Sequence, residues 1–243
     1  MTTLVITMAG HGKRVEAFNP SVPKPFLNVA GKPALFWALS SFDLKCFEKV
    51  IFITNKQVYK YRKPDSIIEE MLKERLRSET IVLESIPNGQ ALTLREGLLQ
   101  SNVPGAFCVF NCDTLMEKVD EGWFQKVSGY DGALGVFQST NPSLSYVRTN
   151  SDGQVEETAE KKIISNLGSS GLYWFNAKSS FLDLRIDSKH EAYIAPMYNQ
   201  MIERNQRVVA VQNNYVFPIG TIPEIEAFLK SPELLKFLSD RIT

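Results

Sequence analysis

Short apolar runs that stop at glycine or polar residues alternate with stretches of helical periodicity through roughly the first half of the chain. Leu4-Val5-Ile6-Thr7-Met8-Ala9 halts at Gly10, as a strand buried on both faces would. Pro33–Leu44 carries Leu35, Phe36, Leu39 and Phe42 at helical spacing, with Pro33 suited to a first turn. Val50–Thr54 predicts a second buried strand. Residues 65–77 predict an amphipathic helix capped by Asp65 or Ser66. Ile81–Leu83 and Ala106–Phe110 predict a third and a fourth strand, with a helix over Gln90–Gln100 between them.

This βαβαβαβ rhythm predicts an α/β fold: a Rossmann-like, mixed but mostly parallel sheet flanked by helices. The second half predicts a β-rich elaboration, with strands at 131–138, 144–149, 154–158, 169–176 and 207–212. Asp152-Gly153 marks a hairpin turn, and helices are expected near 190–204 and 221–239. No Pro/Gly/Ser-rich linker or internal repeat divides the chain. The expectation is one domain over residues 1–243, with a ligand-binding half (1–115) and a second half (116–243).

Composition narrows the classes. A chain of 243 residues with 44% hydrophobic and 22% charged residues is globular rather than disordered. The 27 Lys+Arg balance 27 Asp+Glu, which argues against broad nucleic-acid or membrane-surface binding. No transmembrane run and no signal peptide are evident. Cys46, Cys108 and Cys112 form no CxxC pair, and no His-rich segment accompanies them. A reduced, cytoplasmic setting is therefore expected, without a disulfide framework or a zinc site.

The neutral total hides a local charge. Lys13, Arg14, Lys24 and Lys32 lie within the first 33 residues, opposed only by Glu16. Gly10 and Gly12 follow the first strand, where absent side chains let backbone N–H groups approach an anion. A glycine loop leaving a parallel strand beside clustered cations suits a polyphosphate. The loop is not GxxxxGK[ST], and Val15 stands where GxGxxG needs its third glycine. Asp113, in Asn111-Cys112-Asp113, ends the fourth strand, where open α/β sheets bind ligands.

The string Met8-Ala9-Gly10-His11-Gly12-Lys13-Arg14, then Pro23-Lys24-Pro25 and Gly31-Lys32-Pro33, resembles the signature of the sugar-phosphate nucleotidyltransferases. That family couples a nucleoside triphosphate to a sugar 1-phosphate or a similar small phosphorylated acceptor and releases pyrophosphate. Short relatives with a Met-Ala-Gly loop resemble capsule or surface-polysaccharide enzymes. The resemblance implies that Met8, Ala9, Gly10, His11, Gly12 and Lys13 wrap the triphosphate. It places Arg14 on the leaving pyrophosphate, Lys24 near the α-phosphate, and Asp113 on Mg²⁺, or on Mn²⁺ in its place. It puts Asn88, Gly89 and Gln90 at the nucleobase edge, with Asn111 beside the nucleotide. Asn88 would serve equally as an ordinary helix cap.

On the acceptor side the resemblance implies Glu160, Lys161 and Lys162, together with Ser170 and Gly171. The run 156–162 also reads as a solvated strand edge. Ser169 stands where relatives carry Asn. Pro218 occupies the place of a second metal-binding aspartate, and Ile222 interrupts a GTPE pattern. Three readings follow. Asp113 holds the metal with the triphosphate and waters; another carboxylate, Asp187 or Glu224, substitutes; or catalysis is poor and the chain binds nucleotide or sugar phosphate as a regulatory protein. The acceptor stays open between a sugar 1-phosphate and a non-sugar compound, as in cytidylyltransferases. An oligomer of identical chains also stays open.

Overall fold

The computed structural model describes residues 2–10, 12, 21–72, 76–232 and 234. Its first half holds strands β1 (Thr2–Thr7), β2 (Asn28–Val29), β3 (Lys32–Pro33), β4 (Phe47–Asn55), β5 (Arg77–Leu83) and β6 (Phe107–Asn111). Helices α1 (Ala34–Ser40), α2 (Lys56–Tyr61), α3 (Asp65–Met71) and α4 (Gln90–Gln100) lie between them. The second half adds β7 (Thr114–Met116), α5 (Glu121–Val127), β8 (Gly132–Gln138), β9 (Ser145–Thr149), β10 (Val155–Glu160) and β11 (Leu167–Phe175). It closes with α6 (Lys178–Leu182), α7 (Met197–Glu203), β12 (Val208–Gln212), β13 (Val216–Pro218) and α8 (Ile222–Leu229).

One sheet runs through both halves, in the order β10-β9-β11-β6-β1-β4-β5, with β8 against β11 and β12 beside β8. β1 pairs in parallel with β4 and with β6, and β4 in parallel with β5. β11 then enters antiparallel to β6. The chain leaves β1 for β4 on one side and later returns to β6 on the other. The carboxyl end of β1 is therefore a point where the winding reverses, which opens a crevice in such sheets.

Alternation along the strands builds a core on each face. Leu4, Ile6, Phe52 and Phe110 pack with Leu35 and Leu39 of α1 and Trp123 of α5. Val5, Ile51, Ile53 and Val109 pack on the opposite face with Leu94 and Leu98 of α4 and Tyr198 of α7. Gly97 of α4 sits where a Cβ would come within 2.2 Å of Ile53, so the helix lies directly on the sheet.

Several element ends differ from the sequence reading. The helix expected over 65–77 stops at Met71, and Arg77 already begins β5. The helix expected near 190–204 begins only at Met197, because Pro196 disfavours helical backbone before it. The helix expected over 33–44 spans Ala34–Ser40, with a separate turn at Leu44–Cys46. The turn at Asp152-Gly153 is present: β9 and β10 are antiparallel, Gly153 has φ +77°, and the Asn150 side chain accepts from Asp152 and Gln154 N–H groups. Among the described residues, no helix is long and apolar enough to cross a membrane.

Candidate active site

A cavity of about 540 Å³ opens at the carboxyl ends of β1 and β6. Of the residues singled out above, Met8, Ala9, Gly10, Gly12 and Lys24 line it. Asn88, Gly89, Gln90, Asn111 and Asp113 line it as well. His11, Lys13 and Arg14 lie outside the described residues.

The loop after β1 is pinned at its base. Met8 N–H donates to Ile53 C=O, and the Asn55 amide donates to Ala9 C=O at 3.1 Å. Gly10 is exposed, with open space where a Cβ would stand, and Gly12 has φ +68°, a backbone that favours glycine. Lys24 opens a single helical turn, Lys24–Phe26, held between Pro23 and Pro25. Its ammonium pairs with the Asp113 carboxylate, both side chains being mostly buried.

Asp113 follows β6, and its C=O accepts from Ile219 N–H at 2.9 Å. That contact extends the pairing of β13 with β7, in which Pro218 faces Thr114. It brings Gly220 flush against the ion pair. A Cβ on Gly220 would stand 2.1 Å from Asp113 Oδ2 and 2.9 Å from Lys24 Nζ. Gly220 was not singled out in the sequence, because its requirement is a contact made across the fold.

Glu224 is tied to the segment that abuts Asp113. It accepts from Gly220 N–H at 3.0 Å while its own N–H donates to Thr221 Oγ1. Thr221 caps α8 from three residues before Glu224, and the Glu224 carboxylate reaches back past the cap to the Gly220 N–H. The extra Ile222 is what sets that spacing, and the carboxylate is used on the segment that abuts Asp113. Asp187 lies far out in solvent, accepting from His190 and Lys189, and this hydrogen bonding lowers its pKa.

The Gln90 side-chain NH₂ donates to Thr7 Oγ1 at 2.8 Å and to Asn111 Oδ1 at 2.7 Å. Asn111 is backed by Gly171, where a Cβ would fall 2.2 Å from its amide nitrogen. Gly171 has φ +81° and lies where β11 departs from its register with β8. Gly89 has φ +110°, and a Cβ there would fall 2.3 Å from Ala192 N. Its glycine is thus required by the backbone packed behind the turn. Burial lifts the Cys112 thiol to about 12, so it stays a thiol at neutral pH.

The acceptor-side residues do not line the cavity wall. Glu160 ends β10, accepts a hydrogen bond from Ser145 and has its pKa raised by burial. Lys161 and Lys162 are exposed beyond it. Ser170 is buried beside Asn213 and Gly135, its hydroxyl without a protein partner. Glu191, which the sequence reading passed over, does line the cavity. It accepts from the Tyr193 hydroxyl and lies 3.9 Å from the Lys161 ammonium.

Comparison with known proteins identifies the family and the fold. A family model for nucleotidyl transferases matches residues 3–228. The chain is 27% identical over 236 residues to the catalytic subunit beta of mannose-1-phosphate guanylyltransferase from Drosophila pseudoobscura pseudoobscura, covering 90% of this chain and 59% of that one. It is 26% identical over 178 residues to the bifunctional protein GlmU of Methanococcus maripaludis, covering 70% of this chain and 39% of that one. The chain thus spans less than two thirds of the length of these curated relatives. The solved nucleoside-diphosphate-sugar pyrophosphorylase from Vibrio cholerae RC9 superimposes with a TM-score of 0.79 at 26% identity, covering 94% of this chain and all of that one. The inositol-1-phosphate CTP transferase from T. maritima shares the fold, with a TM-score of 0.75 at 15% identity, over 98% of this chain and 95% of that one.

Proposed function

The chain belongs to the nucleotidyl transferase family, and from that premise we propose that it moves a nucleoside monophosphate from a triphosphate onto a sugar 1-phosphate. The observation that carries this reading is the meeting of the glycine loop and the Lys24–Asp113 pair in one cavity at the sheet's reversal point. An acceptor phosphate oxygen attacks the α-phosphorus in line. The new P–O bond forms as the bond to the β-phosphate bridge breaks, and pyrophosphate leaves. Such transfer depends on positioning and charge neutralisation more than on a general base. Lys24, fixed between two prolines, supplies a cation where charge builds.

Asp113 is the residue that would hold magnesium. Mg²⁺ commonly binds through one or two carboxylates with phosphates and waters. Asp113 offers one carboxylate, Pro218 offers none, and no group of three metal-ligating side chains exists among the described residues. This donor set fits an ion that arrives with the triphosphate, and when bound it would neutralise phosphate charge. Mn²⁺ suits the same oxygen ligands.

Pro218 also favours a second reading, a protein that binds nucleotide without turning it over. Pyrophosphate release separates the two. The assay pairs four triphosphates with sugar 1-phosphates, a phosphorylated polyol and phosphocholine, starting from GTP with mannose 1-phosphate. Release from at least one pair, lost on chelation, supports the transferase. A phosphorylated polyol or phosphocholine as the sole competent acceptor moves the substrate class away from sugars. Background with every pair, alongside measurable triphosphate binding, supports the binding protein.

A further inference from the structure

We propose that Tyr193 is a positioning residue that holds the Lys161 ammonium at the acceptor-side rim of the cavity. The role rests on the transfer reaction proposed above. The residues from Glu191 to Asn199 form a strap anchored at both ends. At one end Ala91 N–H donates to Ala192 C=O at 2.9 Å, and Ala192 N–H donates to Asn88 C=O at 3.0 Å. This reciprocal pair lies directly behind Gly89, where no side chain fits. At the other end Thr158 of β10 donates its hydroxyl to Ala195 C=O and its N–H to Asn199, whose amide returns a bond to Thr158 C=O.

Tyr193 lies between the two anchors. Its hydroxyl accepts from Lys161 Nζ at 2.5 Å and donates to the Glu191 carboxylate. The Lys161 ammonium also lies 4.6 Å from the centre of the Tyr193 ring. The result is a relay with a charged group at each end, the stronger kind of hydrogen bond. Lys161 leaves β10 with φ +52°, which turns its backbone sharply out of the strand. A lysine side chain has many rotamers to lose on binding a ligand. Fixing it beforehand removes part of that loss.

Glu160 and Glu191 each lie 3.9 Å from the Lys161 ammonium, so both carboxylates help to hold it in place.

Kinetics with the most active triphosphate–acceptor pair test the proposal in Tyr193→Phe, Lys161→Ala and the double variant. Tyr193→Phe should raise the acceptor KM by about five- to tenfold, with kcat and the triphosphate KM within about twofold. The double variant should be no worse than Lys161→Ala alone, because Tyr193 acts through Lys161. An unchanged acceptor KM, or a double variant that multiplies the two effects, overturns the proposal. Competitive acylation with acetic anhydride, read by mass spectrometry, needs no turnover. Lys161 should be labelled several-fold faster in Tyr193→Phe than in the unaltered protein. Equal labelling overturns the positioning role whatever the reaction. Faster labelling in a protein that turns over no pair supports the Tyr193–Lys161 contact and counts only against the transfer reaction.

Discussion

Gly220→Ala puts one methyl group against the proposed catalytic pair. A Cβ there would stand 2.1 Å from Asp113 Oδ2, with Lys24 Cε at 2.8 Å and Nζ at 2.9 Å. Reaching an ordinary 3.4 Å contact requires Asp113 Oδ2 to retreat by 1.3 Å, the difference of the two distances. The segment cannot easily back away, because Ile219 N–H is bonded to Asp113 C=O and Gly220 N–H to Glu224. A displacement of about 1 Å at a reacting centre costs roughly 10²-fold in rate, or about 2.7 kcal/mol of barrier. The stability cost should be smaller, since an ion pair that keeps some contact with water contributes about 1 kcal/mol. For a domain of this size that is a melting shift of roughly 2–4 °C. The assay is kcat/KM from pyrophosphate release beside a thermal melt. Without the clash, replacing glycine would stabilise the chain by about 0.4–1 kcal/mol through the unfolded state. A variant with a raised melting temperature and activity within threefold would show that no such clash exists.

Lys24→Ala should lower turnover by about 10²–10³-fold, the usual scale for one charge-stabilising donor. Triphosphate affinity, measured by titration calorimetry, should stay within about tenfold; equal losses would remove Lys24 from the transition state. Gly89→Ala meets both an unfavourable φ of +110° and the Ala192 backbone at 2.3 Å. It should cost about 1–3 kcal/mol from the backbone alone and lower the melting temperature by roughly 5 °C or more. Glu160 has its pKa raised by burial above the ordinary 4.5, so the folded chain holds that proton more tightly than the unfolded one. Its stabilising contribution is present below that ordinary value and is lost as pH rises through the folded value. Glu160→Gln should therefore gain more in melting temperature, relative to the unaltered chain, at pH 7 than at pH 4.

The nucleotide half was the more legible in the sequence. Buried parallel strands read as bare apolar runs, and β1, β4 and β6 fall on them within a few residues. The order in which they pair is what turned the loop after Ala9 and the carboxylate at Asp113 into one site. Helix ends were less legible, since a periodic pattern does not stop where a proline ends it, as Pro196 does. Gly89 and Gly220 show a different limit. Each serves a neighbour distant in sequence, Ala192 and Asp113, and a linear pattern carries no trace of such a contact. The cap of α8 by Thr221 could have been read from its place before the helix. Ser170 matched a motif but is buried near Asn213, outside the cavity lining, at the point where β11 shifts register with β8.

In the proposed reaction the α-phosphate of a triphosphate passes to an acceptor phosphate beside Lys24 and Asp113. A single-turnover reaction with α-³²P-labelled triphosphate tests it directly. Label is expected in a free nucleotide-linked product, with one pyrophosphate released per product and both appearing about 10²–10³-fold more slowly in Lys24→Ala. Label that stays on the triphosphate with every acceptor, or that becomes bound to the protein, would contradict it.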